Sequence, residues 1–151
     1  LIICDLDRFK AINDEYGHHV GDRVIAAFGR LLRAGVREGD LCGRVGGEEF
    51  CIYLHNSDIR AARLFAEWLR EAFSSISYSE LDEDIRFTAS FGVAQMSHCE
   101  KMESAFRRAD KALYVAKRDG RNCVRSCNGV GEPVEQPEIR FEAGPVQNYK
   151  V

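Results

Sequence analysis

An α+β fold, with a central antiparallel sheet flanked by helices, is predicted by the spacing of apolar residues and by the order in which that spacing changes. Residues 1–4, 41–45, 50–54 and 87–93 are short apolar or alternating runs, as strands require, and longer stretches between and after them repeat apolar residues at helical spacing. The runs follow the order strand, helices, hairpin, helix, strand, helix, which matches a split βαβ or ferredoxin-like layer.

Leu1-Ile2-Ile3-Cys4 is an apolar run with no cap or turn ahead of it, so the sequence is expected to start inside a domain. A short helical turn is predicted over 8–16, ended by Gly17. Asp22, which read alone is an N-cap, precedes Val24, Ile25, Phe28, Leu31 and Leu32, the stripe of a core-facing helix. Strands over 41–45 and 50–54 are joined by Gly46-Gly47-Glu48-Glu49, a link short enough for a hairpin. The second of these is apolar on both faces and is expected to be central. A helix over about 58–76 carries Ala62, Phe65, Leu69, Ala72, Phe73 and Ile76 on one side and ends in a serine-rich loop. Phe87, Ala89, Phe91 and Val93 alternate with Thr88, Ser90 and Gly92, the pattern of a strand with one face on the core. The last helix is predicted over 102–118, with Ala105, Phe106, Ala109, Leu113 and Ala116 buried and Gly120 as its stop. A short strand near 123–125 closes the domain, which spans 1–125. Residues 126–151 hold all three prolines and little periodicity, and read as a flexible tail.

Composition excludes several classes. With 151 residues, a net charge of −3 and 45% hydrophobic residues, the chain has the balance of one soluble domain. No apolar run approaches the ~18–20 residues that cross a bilayer. No basic field exists to draw in a nucleic-acid polymer, so a polyphosphate partner must be held by a few placed groups. The six cysteines form no C-x-x-C pair, and the Cys123-x3-Cys127 spacing does not make a zinc site. Four of them lie among strand-like or apolar neighbours, as small buried thiols do, which implies a reducing, cytoplasmic setting.

In a split βαβ layer the hairpin inserts its second strand, antiparallel, beside the first. The 46–49 turn is then expected at the sheet edge where Asp5 and Asp7 lie. Asp5, Glu48 and Glu49 meet there, and such a cluster repels itself unless a cation neutralises it. Magnesium accepts one or two carboxylates and leaves its other positions to water and phosphates. Gly46 and Gly47, lacking Cβ atoms, let a triphosphate or base approach the backbone. A solvated acidic hairpin tip is the plainer reading of the same residues. An EF-hand is excluded because Phe9 and Lys10 stand where that loop needs a ligand and a glycine, and no P-loop segment is present.

Asp5-Leu6-Asp7-Arg8-Phe9-Lys10, Ile12-Asn13-Asp14, Tyr16-Gly17-His18, Gly21-Asp22, Arg44-Val45-Gly46-Gly47-Glu48-Glu49-Phe50, Tyr114-x-Ala116-Lys117 and Gly120-Arg121-Asn122 together resemble the GGDEF domain of diguanylate cyclases. The resemblance covers about residues 1–125, with Glu48 in place of the aspartate of the family's name motif. It implies the palm fold of nucleotidyl cyclases and polymerases, and a reaction that joins two GTP into cyclic di-GMP with release of two pyrophosphates. It further implies that Asp5, the Leu6 carbonyl and Glu48 hold magnesium or manganese. Glu48 or Glu49 would accept the 3′-hydroxyl proton, and Lys10 would stabilise charge nearby.

By the same resemblance Asn13 and Asp22 read guanine. A carboxylate can accept from both N1–H and the exocyclic amine, and adenine has no N1–H to offer. His18 falls at a substrate-side position. Lys117 and Arg121 would reach the β- and γ-phosphates, although cations at a helix end also pair with its dipole. Arg37-Glu38-Gly39-Asp40 fits the family's inhibitory R-x-x-D site for the product. The family's opening helix and its D-x-L-T-x-L-x-N-R segment would precede Leu1. A sensor domain, with a membrane anchor in some arrangements, would pair two such domains into the homodimer that turnover needs. The rival reading is a module that senses GTP or cyclic di-GMP without turnover. A mononucleotide cyclase on the same palm is disfavoured by Asp22 and the complete hairpin motif.

Overall fold

Ile2, Cys4 and Leu6 alternate with Leu1, Ile3 and Asp5 along the first strand, and both sets are buried. A strand covered on both faces belongs inside a sheet. In the computed structural model, which describes residues 1–77, 86–128 and 132–133, β1 (Ile2–Leu6) is accordingly flanked on both sides. The further elements are α1 (Phe9–Tyr16), α2 (His18–Gly35), β2 (Leu41–Arg44), β3 (Glu49–Tyr53), α3 (Ile59–Ser74), β4 (Ala89–Ala94), α4 (Met102–Arg118), β5 (Val124–Asn128) and β6 (Glu132–Pro133). The sheet order is β2-β3-β1-β4-β5-β6. Its β2-β3-β1-β4 portion is the expected ferredoxin-like layer, and β3 is an internal strand as its two apolar faces predict.

The two faces have different covers. Ile2, Cys4, Leu6, Phe50, Ile52, Phe91 and Val93 pack with Val24, Phe28 and Leu32 of α2 and Ala66, Leu69 and Phe73 of α3. Phe28 is the centre of that layer, its ring 4.8 Å from Phe50 and 5.0 Å from Phe73. On the other face Leu1, Ile3 and Ala94 pack with Ala105, Ala109 and Leu113 of α4.

Four differences from the sequence reading have physical causes. β4 is buried at all six positions, where one exposed face was expected. Its small residues Ser90 and Gly92 admit α4 at close range, so the face that reads as polar is covered by a helix. The sheet is mixed, because α4 returns the chain so that β5 pairs parallel to β4, as a helical crossover requires. α2 starts at His18, which places Asp22 inside the helix, not at its N-cap; Gly17, at φ 84, makes the sharp α1–α2 junction. β5 continues to Asn128, with Ala94 opposite Cys127, so residues 126–128 belong to the sheet and the domain passes the expected boundary at 125. Most of the expected tail, and residues 78–85 next to the serine-rich loop, lie outside the described residues. α3 begins beside Asp58, whose carboxylate caps it by accepting from Ala61 N at 2.7 Å, and α4 has the bounds expected.

Among the described residues, which include all six cysteines, no disulfide is formed. Cys4 is buried and its thiol is pushed well up by that burial, whereas Cys42, on the edge strand β2, is exposed.

α4 is clamped to the end of β4 by Arg108, whose guanidinium holds Glu100 at 2.6 Å and the Gln95 carbonyl at 2.6 Å. Hydrogen bonds from Arg108, then from the Ser97 amide, lower the Glu100 carboxyl from 4.5 to about 2. Folding therefore favours the ionised form. Its contribution is complete above pH 4.5 and is lost as pH falls towards about 2. Glu100→Gln is expected to flatten the acid limb of a thermal-unfolding midpoint against pH in that window; parallel limbs for variant and wild type would refute the clamp.

Candidate active site

Strand alternation decides the site. Odd-numbered residues of β1 face α4, so Asp5 points towards that helix, and Lys117 in its last turn meets it with Nζ 2.8 Å from Asp5 Oδ2. Antiparallel pairing of β1 with β3 sets Asp5 opposite Glu49, and Leu6 N–H donates to the Glu48 carbonyl at 3.2 Å. The hairpin acids thus reach the end of β1, as expected. Asp5 is only 8% exposed. Burial pushes its carboxyl up from the ordinary value; Lys117 draws it down, and the charges of Glu49 and Asp7 push it up again.

The oxygen donors at this end of β1, Asp5 and the Glu48–Glu49 tip, are of the hard type that divalent cations of the magnesium kind take. Asp5 already carries a cationic partner, the Lys117 ammonium, and the Glu48–Glu49 segment adds further negative charge beside it. Among the described residues no three His, Cys, Asp or Glu side chains converge as a closed cage. An ion held here would keep positions for water and phosphate oxygens, as magnesium-type ions do.

The hairpin tip is held by Arg44, whose Nε donates to the carbonyls of Gly46 at 3.2 Å and Gly47 at 2.7 Å. Neither glycine has positive φ, so neither is required by backbone conformation. A Cβ on Gly46 would meet Glu49 Oε2 at 2.8 Å, whereas Gly47 faces open space. Access to the backbone is therefore greatest at Gly47.

Asn13 and Asp22 come together through the α1–α2 junction. Asn13 lies half-buried against Gly21, where a Cβ would overlap its side-chain oxygen, and Asp22 is the next residue, exposed. Lys10 and His18 are exposed, and the structure brings neither into contact with the carboxylates. Arg121 is exposed in a turn with Gly120, Arg121 and Asn122 at φ 108, 66 and 45. Arg37 and Asp40 lie at the other end of the β2–β3 ladder. Asp40 accepts from the Arg37 amide at 3.0 Å and the His55 amide at 2.8 Å, which leaves the Arg37 side chain exposed.

Sequence reasoning assigned no role to Asp7, Thr88, Ser90, Asn122 or Arg44. Asp7 is 7% exposed and accepts from Thr88 Oγ1 at 2.7 Å, Ser90 Oγ at 2.7 Å and Asn122 N at 3.0 Å. Its position two residues after Asp5, directly beyond the end of β1, was the available signal.

A ferredoxin-like sheet with an acidic hairpin tip at the end of its central strand defines the palm class of α+β domains. Within that class the chain belongs to the family described as diguanylate cyclase, GGDEF domain, which matches residues 1–123. It is 46% identical over 124 residues to diguanylate cyclase DgcM of Escherichia coli K12, covering 82% of this chain and 30% of that protein. It is 41% identical over 122 residues to a diguanylate cyclase of Vibrio cholerae, covering 80% of this chain and 37% of that one. The chain thus spans about a third of the length of these relatives, at 30% and 37%. Among solved structures, the active GGEEF domain of a Vibrio cholerae diguanylate cyclase aligns at TM-score 0.78 and 36% identity, covering 87% of this chain and 82% of that one. The GGDEF domain of DgcB from Caulobacter crescentus, in complex with c-di-GMP, aligns at TM-score 0.78 and 33% identity over 83% and 75% of the two chains. Among the described residues no helix is long and apolar enough to cross a membrane.

Proposed function

We propose that this domain is the catalytic unit of a diguanylate cyclase, condensing two GTP into cyclic di-GMP with release of two pyrophosphates. The observation that carries the reading is the meeting of Asp5, the Glu48–Glu49 tip and Lys117 at one end of β1, within a chain of this family. Asp5, the Leu6 carbonyl and Glu48 would hold a magnesium ion, which when bound would supply charge neutralisation for the pyrophosphate and for the attacking oxygen. In each half-reaction an O3′–Pα bond forms, the bond to the β-phosphate oxygen breaks and pyrophosphate leaves. Glu48 or Glu49 takes the hydroxyl proton. Lys117 and Arg121 bind the β- and γ-phosphates, Lys10 adds positive charge, and Gly47 gives the nucleotide its approach to the hairpin backbone. Asn13 and Asp22 recognise guanine, with His18 on the substrate side.

Each domain holds one GTP, so turnover takes a homodimer, which sensor segments in the whole protein bring together. A cytoplasmic location follows from the substrate and agrees with cysteines that form no disulfide among the described residues. The test is incubation of the whole protein with GTP and magnesium. Formation of cyclic di-GMP supports the reading, and GTP binding without product would assign the sensing module instead.

Arg37 and Asp40 form the product-inhibition site. The exposed Arg37 guanidinium is free to meet a phosphate, and Asp40 is already fixed by backbone amides. Arg37→Ala is expected to raise the rate at high product concentration, with the initial rate little changed. Identical inhibition curves would remove the regulatory assignment.

A further inference from the structure

The Gly120-Arg121-Asn122 turn runs through three successive left-handed residues, two of which carry side chains that disfavour that backbone. Such a turn persists only when surrounding contacts hold it. Arg121 N–H donates to the Ala116 carbonyl at 3.1 Å, and the Cys123 carbonyl accepts from Phe91 N at 3.0 Å. Between these anchors the Asn122 amide donates to Asp7 Oδ2 at 3.0 Å, a carboxylate 115 positions away in the chain. Asp7 is fixed in turn by the hydroxyls of Thr88, just before β4, and of Ser90 on it, and by its own amide, which donates to the Thr88 carbonyl at 2.8 Å. Both carboxylate oxygens are occupied by these neutral donors, so Asp7 is built to hold a turn, whereas Asp5 faces the hairpin acids.

We propose that Asp7 is a positioning residue for triphosphate recognition: it ties the strand that carries Asp5 to the left-handed turn that presents Arg121. Asp7 follows Asp5 by two residues, at the turn that ends β1, so the bond to Asn122 ties the acidic end of β1 to the turn that carries the guanidinium. Arg121 itself is exposed, and among the described residues no side-chain hydrogen bond or ion pair orients it; the backbone beneath it does. Preorganisation of this kind raises affinity by removing the cost of ordering the turn when the ligand binds. The inference rests on the proposed role of Arg121 and adds to it a residue that never touches the nucleotide.

The test uses the whole protein with magnesium and two probes: 3′-deoxy-GTP, which lacks the attacking hydroxyl and cannot turn over, and GMP, which lacks the phosphates Arg121 would reach. Asp7→Asn removes the negative charge and leaves one neutral acceptor oxygen where two served the donors of Thr88, Ser90 and Asn122. It is expected to weaken 3′-deoxy-GTP about ten-fold while changing GMP by less than about two-fold. Combined with Arg121→Ala it should add little further loss, because both changes remove the same interaction. Equal weakening of both probes, full additivity with Arg121→Ala, or unchanged triphosphate affinity would each overturn the proposal. If Arg121→Ala alone leaves 3′-deoxy-GTP binding intact, the phosphate-binding role of Arg121 fails, and the role of Asp7 with it. Should Asp7→Asn fail to fold, Asn122→Gly decides. It keeps the amide but frees the turn, and is expected to weaken 3′-deoxy-GTP about three-fold with GMP unchanged; no change in either would overturn the inference.

Discussion

Asp5→Asn is expected to abolish cyclic di-GMP formation, by about a thousand-fold or more, while leaving the domain at least as stable as the wild type. The two halves of that expectation share one cause. Asp5 is buried, and burial raises its carboxyl from the ordinary 3.8, so folding favours the protonated form over the ionised one that a cation needs. The native state binds the proton more tightly than the unfolded chain. Stability therefore declines as pH rises from 3.8 through the raised value, and the ionised carboxylate remains a cost at neutral pH. Asparagine keeps the shape and carries no charge to desolvate. Lys117 loses its partner, but with its side chain 34% exposed it can turn to water. A product assay beside thermal unfolding at several pH values checks both halves, and the variant should lack the wild-type decline above pH 3.8. Retained turnover would remove Asp5 from the site; marked destabilisation would show that the Lys117 pair outweighs the burial.

Gly92→Ala is expected to cost about 3 kcal/mol or more of unfolding free energy, at the upper end of overpacking effects. A Cβ at this position would overlap the Ala109 carbonyl oxygen and the Leu113 amide, and it would lie 2.9 Å from Leu113 Cα. All three are backbone atoms of α4, so no side-chain rotation relieves the clash and the helix must move off β4. Because Lys117 lies on that helix and Arg121 follows it, triphosphate affinity should fall together with stability. Gly43→Ala is the control: its Cβ meets nothing within 4 Å on the exposed strand β2, and the change should stay within about 0.5 kcal/mol. Urea unfolding midpoints of the two variants decide the matter. Equal midpoints would contradict the close approach of α4 to the sheet.

Legibility in the sequence followed the range of the interactions. The bounds of α4 and the start of α3 near 58 were readable because helical spacing acts over a few residues. The meeting of Asp5 with the 46–49 turn was readable through topology, since a hairpin following a right-handed crossover has few places to go. The burial of β4 on both faces was not, because Ser90 and Gly92 look solvent-facing until a helix is known to lie over them. For the same reason the parallel β5 was longer than its own few residues suggested; pairing with β4 extends it.

The sequence alone determined the acidic pair of segments, the hairpin that carries one of them, and membership of a family whose motifs stand in order. Only the tertiary structure decided what each of two neighbouring aspartates meets. Asp5 and Asp7 are the same residue type two positions apart, one in β1 and one in the turn after it. The hydroxyls of Thr88 and Ser90 and the amide of Asn122 occupy Asp7, whereas the ammonium of Lys117 meets Asp5. Those partners are eighty or more positions away in the chain. Local spacing carries no information about contacts made across that distance; only packing β4 and α4 onto β1 brings them into range.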